Sequence, residues 1–247
     1  MKSRTLVILA TYNERENIEP LSADVLASPI AAELLVIDDS SPDGTGEAAD
    51  AIAAADARVH VIHRPGKLGL GSASILGLQY ALDHGYDFAI VMDADFSHHA
   101  KYLPDLVDGM TRFDVTIGSR YVTGGGAVDW PLHRRLMSTC INLYARMCLG
   151  LKVRDCSGSY RCYRLGLMRT GVLDRMVSRG YSYLEEILYR CQSVGMKLGE
   201  VPILFGERLG GHSKISYVEA AAAVWVIFKI LLGRIVRCCR PRRGVSG

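Results

Sequence analysis

The chain has 247 residues, 49% of them hydrophobic, a formal net charge of +3, and seven cysteines. That is enough apolar content for one sizeable core and too little charge to indicate nucleic-acid binding. Odd in number and without a Cys-x-x-Cys pair, the cysteines argue against a disulfide framework or zinc site and for a reducing compartment. The sequence opens into a strand with no secretory pattern, so the cytosol is expected.

Taken in chain order, Thr5-Leu6-Val7-Ile8-Leu9-Ala10 reads as a first strand, and a helix runs from Asn13 to about Ala27 with acids near its positive end. Leu34-Leu35-Val36-Ile37 is a second strand ending in Asp38-Asp39, and turn chemistry from Ser40 to Gly44 leads into a helix at about 45–55. Val59-His60-Val61-Ile62 is a third strand, followed by a glycine loop and a helix reaching His84. Phe88-Ala89-Ile90-Val91-Met92 has the apolar pattern of a strand buried on both faces, and Asp93-Ala94-Asp95 follows without a spacer. A helix from Tyr102 to Arg112 and a strand at Val115-Thr116-Ile117-Gly118 complete the alternation. Beyond Arg120 the sequence predicts a loop at Gly124–Gly126, helices at Leu132–Leu149 and Leu184–Val194, an irregular stretch or short hairpin at Asp155–Arg164, and a last strand at Glu200–Phe205.

Strands alternating with helices in short units imply a Rossmann-like, mostly parallel α/β sheet with helices on both faces. The expected organisation is one catalytic domain over residues 1–216 and an appendage over 217–247. After Glu219 every charged residue is basic. At about 100° per residue, the charges Glu219, Lys229, Arg234, Arg237 and Arg240 fall within an arc of roughly 140°, away from Trp225, Phe228, Leu231, Leu232 and Ile235. Such a C-terminal amphipathic helix suits a membrane interface. The competing reading is a helix packed on the domain or on a partner.

Four strand-end loops carry polar groups: Tyr12-Asn13-Glu14, Asp38-Asp39-Ser40, Gly66–Gly71 and Asp93–Ser97. In a parallel sheet they share one edge and converge on one ligand. Asp-x-Asp offers two hard oxygens for Mg²⁺ or Mn²⁺, although taken alone it also suits a helix N-cap. The glycine loop is neither a dinucleotide fingerprint, which fails at Ser74, nor a Walker loop, since Lys67 lies on the wrong side of the glycines.

Six motifs then occur in order: Ala10-Thr11-Tyr12-Asn13-Glu14, Asp38-Asp39-Ser40-Ser41-Pro42-Asp43-Gly44-Thr45, Gly66-Lys67-Leu68-Gly69-Leu70-Gly71, Asp93-Ala94-Asp95-Phe96-Ser97-His98, Gly118-Ser119-Arg120-Tyr121 and Arg208-Leu209-Gly210-Gly211-His212-Ser213-Lys214. Over about residues 4–216 the chain resembles the family-two inverting glycosyltransferases with a GT-A fold, and within them the polyprenol (dolichol) phosphate mannosyltransferases. The resemblance implies a GDP-mannose donor and a polyprenyl phosphate acceptor, at the cytoplasmic face of a membrane that the protein meets peripherally. By it, Ala10, Tyr12, Glu14, Ile37, Asp39 and Ala94 hold the donor, with Arg208 and Lys214 closing over its diphosphate. Asp93, Asp95 and Ser97 bind the metal, and Arg120, Arg134 and Ser138 hold the acceptor phosphate. Glu186 matches a glutamate of the family and faces either the sugar or the helix surface. Catalysis then rests on Asp95, Arg120 and Arg134.

The chain departs from the family pattern at several points. Ala10 and His99 stand where relatives have proline, Ser97 where many have glutamine, and Ser159-Tyr160 where Gly-Phe or Gly-Tyr is usual. Leu184 replaces a common glutamine. The two transmembrane helices of some relatives are absent, which leaves membrane access to the terminal helix or to an integral-membrane partner.

The chemistry fits these residues. A phosphate monoester has a second pKa of about 6 and is largely dianionic at neutral pH, so no general base is required. The obstacle is bringing two anions together, which the arginines meet with charge-assisted hydrogen bonds. Two readings compete: the same reaction with UDP-glucose or another nucleotide sugar, and a non-catalytic sugar-nucleotide-binding membrane subunit.

Overall fold

The computed structural model describes residues 3–128, 130–168, 171–174, 176–178, 180–206 and 224–231. The predicted alternation is present as β1 (Thr5–Thr11), β2 (Glu33–Asp38), β3 (Val59–His63), β4 (Phe88–Asp93) and β5 (Val115–Ser119). Between these strands lie α1 (Arg15–Leu26), α2 (Thr45–Ala55), α3 (Leu70–Asp83) and α4 (Leu103–Gly109). The chain continues through β6 (Gly126–Ala127), α5 (Leu132–Leu149), β7 (Arg161–Arg164) and α6 (Leu165–Met168). It then forms α7 (Tyr183–Ser193), β8 (Leu198–Pro202) and β9 (Leu204–Phe205).

Seven strands make one sheet in the order β3-β2-β1-β4-β7-β5-β8, while β6 and β9 pair separately. Every pairing is parallel except those of β7, which runs antiparallel to both β4 and β5. The stretch Asp155–Arg164, expected as irregular or a short hairpin, therefore contributes a single strand, Arg161–Arg164, inserted between β4 and β5. The expected last strand is divided: Leu198–Pro202 joins the main sheet, and Leu204–Phe205 leaves it to pair with the glycine-rich loop.

Side-chain alternation along the strands splits the core into two layers. Leu6, Ile8, Leu35 and Ile37 face a layer containing α3, α5 and α7 residues, whereas Val7, Leu9, Leu34 and Val36 face α1, α2 and α4. Both faces of β1 are covered, which is why its sequence is apolar without interruption. On the first layer, Gly77 of α3 lies so close to the sheet that a Cβ there would come within 2.5 Å of Ile8 Cγ2. The helix thereby seats directly over the strands whose ends build the site.

Of the C-terminal appendage, residues 224–231 are described and are helical. Ile227 is buried in the first layer and Ile230 packs against it, whereas Val224, Trp225 and Phe228 are exposed. Glu219, Arg234, Arg237 and Arg240, and the domain boundary at 216, lie outside the described residues. No described helix is long and apolar enough to cross a membrane.

Candidate active site

At the sheet centre β1 has β2 on one side and β4 on the other, and the loops leaving these strands open a crevice at their carboxyl ends. Three of those loops contain a non-glycine residue at positive φ: Asn13 at 61°, Ser40 at 53° and Phe96 at 62°. Such backbone is sparsely populated and persists where surrounding contacts hold it. Between the loops lies a cavity of about 320 Å³ whose wall includes Ala10, Tyr12, Glu14, Asp39, Asp93, Ala94 and Asp95. Lys67, Gly180 and Tyr181 also line it, and sequence reasoning assigned none of these three. The Lys67 ammonium sits 4.2 Å from the Tyr12 ring centroid, bringing a cation to the cavity mouth.

Asp39 is held rather than merely present. Its Oδ1 accepts from the buried Arg64 guanidinium, and its Oδ2 accepts from Leu68 N–H at 3.0 Å and Gly69 N–H at 3.2 Å. Gly69 takes φ 95°, a conformation open to glycine, and so the loop can turn both amides onto one carboxylate. Ile37 is not on the cavity wall. Its alternation along β2 sends the side chain into the core, and its carbonyl accepts from Thr11 Oγ1 at 3.3 Å. It supports the site from beneath.

The two carboxylates of Asp93 and Asp95 both reach the cavity. Asp93 Oδ1 accepts from Ser159 Oγ at 2.8 Å, and Asp95 Oδ1 accepts from Ser97 N–H at 3.1 Å. Ser97, the third expected ligand, is buried off the wall, and its Oγ has no hydrogen-bond partner among the described residues. No three His, Cys, Asp or Glu side chains cluster closely enough to hold a metal among the described residues. Two carboxylate donors and an open cavity fit a hard cation that completes its shell with water and ligand phosphate. His98 has a structural part: its Nδ1 accepts the Asp93 N–H at 3.0 Å, its ring stacks on Tyr160, and burial pushes its pKa down.

Beside this cavity lies a second cluster. Arg120 donates from Nε to Asp155 Oδ2 and from Nη2 to Asp155 Oδ1 and Ser157 Oγ. Burial alone would raise the Asp155 pKa, but the charge and hydrogen bonds of Arg120 outweigh it and hold the carboxyl below its ordinary range. Burial would likewise lower the Arg120 pKa, and Asp155 reverses that. The guanidiniums of Arg120 and Arg134 lie 5.1 Å and 4.2 Å from the ring centroid of the buried Trp130, which joins the two cations through one aromatic plate. Ser138 Oγ accepts from Tyr121 O–H at 2.7 Å. The predicted acceptor group Arg120, Arg134 and Ser138 is thus linked through Trp130 and Tyr121.

Residues 155–160 connect the two clusters. Asp155 holds Arg120, Ser157 touches Arg120, and Ser159 touches Asp93. Asn142 of α5 fixes this segment, its Oδ1 accepting from Cys156 N–H at 2.6 Å and Ser157 N–H at 3.2 Å. Sequence reasoning missed Asp155, Asn142, Trp130 and Arg64, which carry no local motif.

Glu186 takes neither predicted place. It is buried and accepts from Val177 N–H, Ser178 N–H and Arg190, tying the loop before α7 to that helix. Arg208 and Lys214 lie outside the described residues.

Comparison with known proteins places these features in context. The sequence profile of glycosyl transferase family 2 matches residues 6–171. The chain is 44% identical over 214 residues to an undecaprenyl-phosphate mannosyltransferase of Micrococcus luteus, spanning 86% of this chain and 88% of that one. It is 43% identical over 215 residues to a polyprenol monophosphomannose synthase of Mycolicibacterium smegmatis, spanning 86% and 81%. Among solved structures, glucosyl-3-phosphoglycerate synthase from Mycobacterium tuberculosis, in complex with Mn²⁺, UDP and glucosyl-3-phosphoglycerate, superposes with a TM-score of 0.65 at 21% identity, covering 98% of this chain and 82% of that one. A Pyrobaculum calidifontis mannosyltransferase in complex with GDP-Man and Mn²⁺ gives a TM-score of 0.58 at 15% identity, covering 96% and 65%. At these identities the two structures show a shared fold.

Proposed function

This chain belongs to glycosyl transferase family 2, and on that premise we propose that it transfers mannose from GDP-mannose to a polyprenyl phosphate with inversion, at the cytoplasmic face of a membrane. The named relatives support the acceptor class and the sugar. The observation that carries the reading is the segment 155–160, which joins the carboxylate-lined cavity to the buried arginine cluster.

The donor occupies the cavity, its nucleoside among Ala10, Tyr12, Glu14 and Asp39 and its diphosphate toward Asp93, Ala94 and Asp95. Asp93 and Asp95 would hold Mg²⁺ or Mn²⁺, which when bound neutralises charge on the diphosphate. Arg120, Arg134 and Ser138 bind the acceptor phosphate, already dianionic near neutral pH. One of its oxygens forms the new bond to the anomeric carbon as the bond from that carbon to the diphosphate breaks, and GDP leaves. No proton has to be removed. The negative charge that develops falls on the departing diphosphate, where cations placed in advance lower the barrier. Arg208 and Lys214 are assigned to the diphosphate from the sequence.

The test is incubation of the purified protein with a panel of radiolabelled nucleotide sugars, a polyprenyl phosphate and Mg²⁺ or Mn²⁺, followed by identification of the glycolipid. Mannosyl transfer from GDP-mannose that disappears in Asp95→Ala supports the reading. Transfer from UDP-glucose alone would change the donor, and no transfer from any sugar would leave a binding subunit.

A further inference from the structure

Arg120 and Arg134 come together against electrostatic preference. Arg134 is in the first turn of α5, which holds no acidic residue, so a cation stands at the positive end of a helix, where it is disfavoured. Arg120 is buried beside it, and like charges out of water repel strongly. Both cations lie over one indole: the Arg134 and Arg120 guanidinium carbons are 4.2 Å and 5.1 Å from the Trp130 ring centroid. The negative face of an aromatic ring attracts a cation, so Trp130 offsets part of that repulsion. The two distances put the guanidinium carbons at most about 9 Å apart, and a phosphate gripped by two guanidiniums at hydrogen-bond length keeps their carbons about 8 Å apart.

The ring is itself braced. Trp130 is buried and meets Phe205 edge-on, with centroids 5.5 Å apart and planes at 72°. Phe205 is in β9, which pairs with β6, and its carbonyl accepts from Val128 N–H at 3.0 Å. Arg135 of α5 donates to the Ala127 carbonyl at 3.1 Å. The small two-stranded sheet thus fixes the aromatic plate and is clipped to the helix that supplies Arg134.

We propose that Trp130 is a positioning residue for the acceptor: its indole plane holds the Arg134 guanidinium at a set reach from Arg120, so that the pair closes on one phosphate dianion. The inference rests on the acceptor reading above and adds to it the part that sets the spacing of the two cations. Arg120 has orienting partners in Asp155 and Ser157, so loss of the ring falls on Arg134. An aliphatic side chain fills space there but has no π face for a cation, whereas phenylalanine keeps one. Because Trp130 acts through Arg134, removing both should cost little more than removing Arg134 alone.

The experiment measures steady-state kinetics of the full chain with GDP-mannose and a short, water-soluble isoprenyl phosphate. It compares wild type with Trp130→Leu, Trp130→Phe, Arg134→Ala and the double variant Trp130→Leu/Arg134→Ala. Trp130→Leu is expected to raise the acceptor KM at least tenfold with the GDP-mannose KM within twofold, and Trp130→Phe to stay within threefold of wild type on both. The double variant should be no more than twofold worse than Arg134→Ala. The proposal is overturned if the two losses multiply, if donor and acceptor suffer equally, or if Trp130→Phe is no better than Trp130→Leu. The chain has two tryptophans, Trp130 and Trp225, so in a Trp225→Phe background the emission reports Trp130 alone. Titration with the isoprenyl phosphate should shift that emission, and Arg134→Ala should abolish the shift. An unmoved spectrum overturns the proposal even where Trp130→Leu fails to fold. The titration requires no turnover, so failure of the enzymatic reading would appear separately, as a shifted emission without transfer from any nucleotide sugar.

Discussion

Arg120 meets Asp155 edge to edge, with Nε 2.8 Å from Oδ2 and Nη2 2.7 Å from Oδ1, and both side chains are buried. The carboxylate fixes the plane of the guanidinium and leaves Nη1, which bonds no described residue, for a ligand. Removing one partner of a buried pair costs about 3 kcal/mol or more, since the other charge is left unpaired. Asp155→Asn should therefore lower the melting temperature. It should also reduce kcat/KM for the acceptor about 100-fold, the scale of a misplaced reacting group, with the donor KM within about twofold. Equal losses toward donor and acceptor would refute the positioning role of Asp155.

Ser159 presents its hydroxyl to the carboxylate crevice, where it donates to Asp93 Oδ1 at 2.8 Å. An outer partner of this kind orients a ligating carboxylate, and its removal typically costs about tenfold or more in metal affinity. Ser159→Ala is expected to weaken Mn²⁺ binding by about that factor in a calorimetric titration with GDP present. An unchanged Mn²⁺ affinity would make the contact incidental.

The sequence makes the first half of this molecule readable because β1, β2 and β4 are apolar runs, β2 and β4 ending in an aspartate and β1 leading into Tyr12-Asn13-Glu14, and both features follow from burial beside a polar crevice. The second half resists reading for a physical reason. In β7, Arg161 is fully buried, its Nη1 and Nη2 spent on the carbonyls of Leu184 and Cys156, so hydropathy gives no hint of a central strand. Asp155 is 35 residues from Arg120 and Arg64 is 25 from Asp39, and no local pattern announces such pairs. The cavity-facing residues Tyr12, Asp93 and Asp95 are legible because each lies at or within two residues of the carboxyl end of an apolar strand. Ile37, by strand alternation, turns its side chain into the core and not onto the cavity wall.

Glu185 is buried in the first turn of α7, and one of its oxygens, Oε2, has no hydrogen-bond partner among the described residues. Burial pushes its pKa from the ordinary 4.5 up to about 7. Its own backbone N–H and Arg161 oppose that rise, and Asp155 adds to it. A carboxyl held neutral in the fold stabilises fully below pH 4.5, and that contribution is lost as pH climbs through about 7. The loss amounts to about 3 kcal/mol at most. Glu185→Gln should flatten the melting temperature between pH 5 and 8, and a profile parallel to wild type would contradict the assignment.

Gly77 lets α3 approach β1 and β2, and a Cβ there would meet Ile8 Cγ2 at 2.5 Å and Ile37 Cδ1 at 3.1 Å. Overpacking of this kind costs about 1–3 kcal/mol. Gly77→Ala should lower the urea midpoint accordingly, despite the higher helix propensity of alanine. A stabilised variant would show that α3 can slide without cost.

The placement of β7 between β4 and β5 also imposes an order on assembly. On a chain emerging from the ribosome, β4 and β5 are both available before Arg161 exists, and each presents an unpaired backbone edge to the other. Productive folding has to leave that gap open until residues 161–164 arrive and pair in the opposite direction. Premature zippering of the two older strands would be a kinetic trap of the sort that slows non-local β topologies. The same late arrival brings residues 155–160 to Asp93 and Arg120, so the protein cannot carry out its chemistry until its sheet is closed.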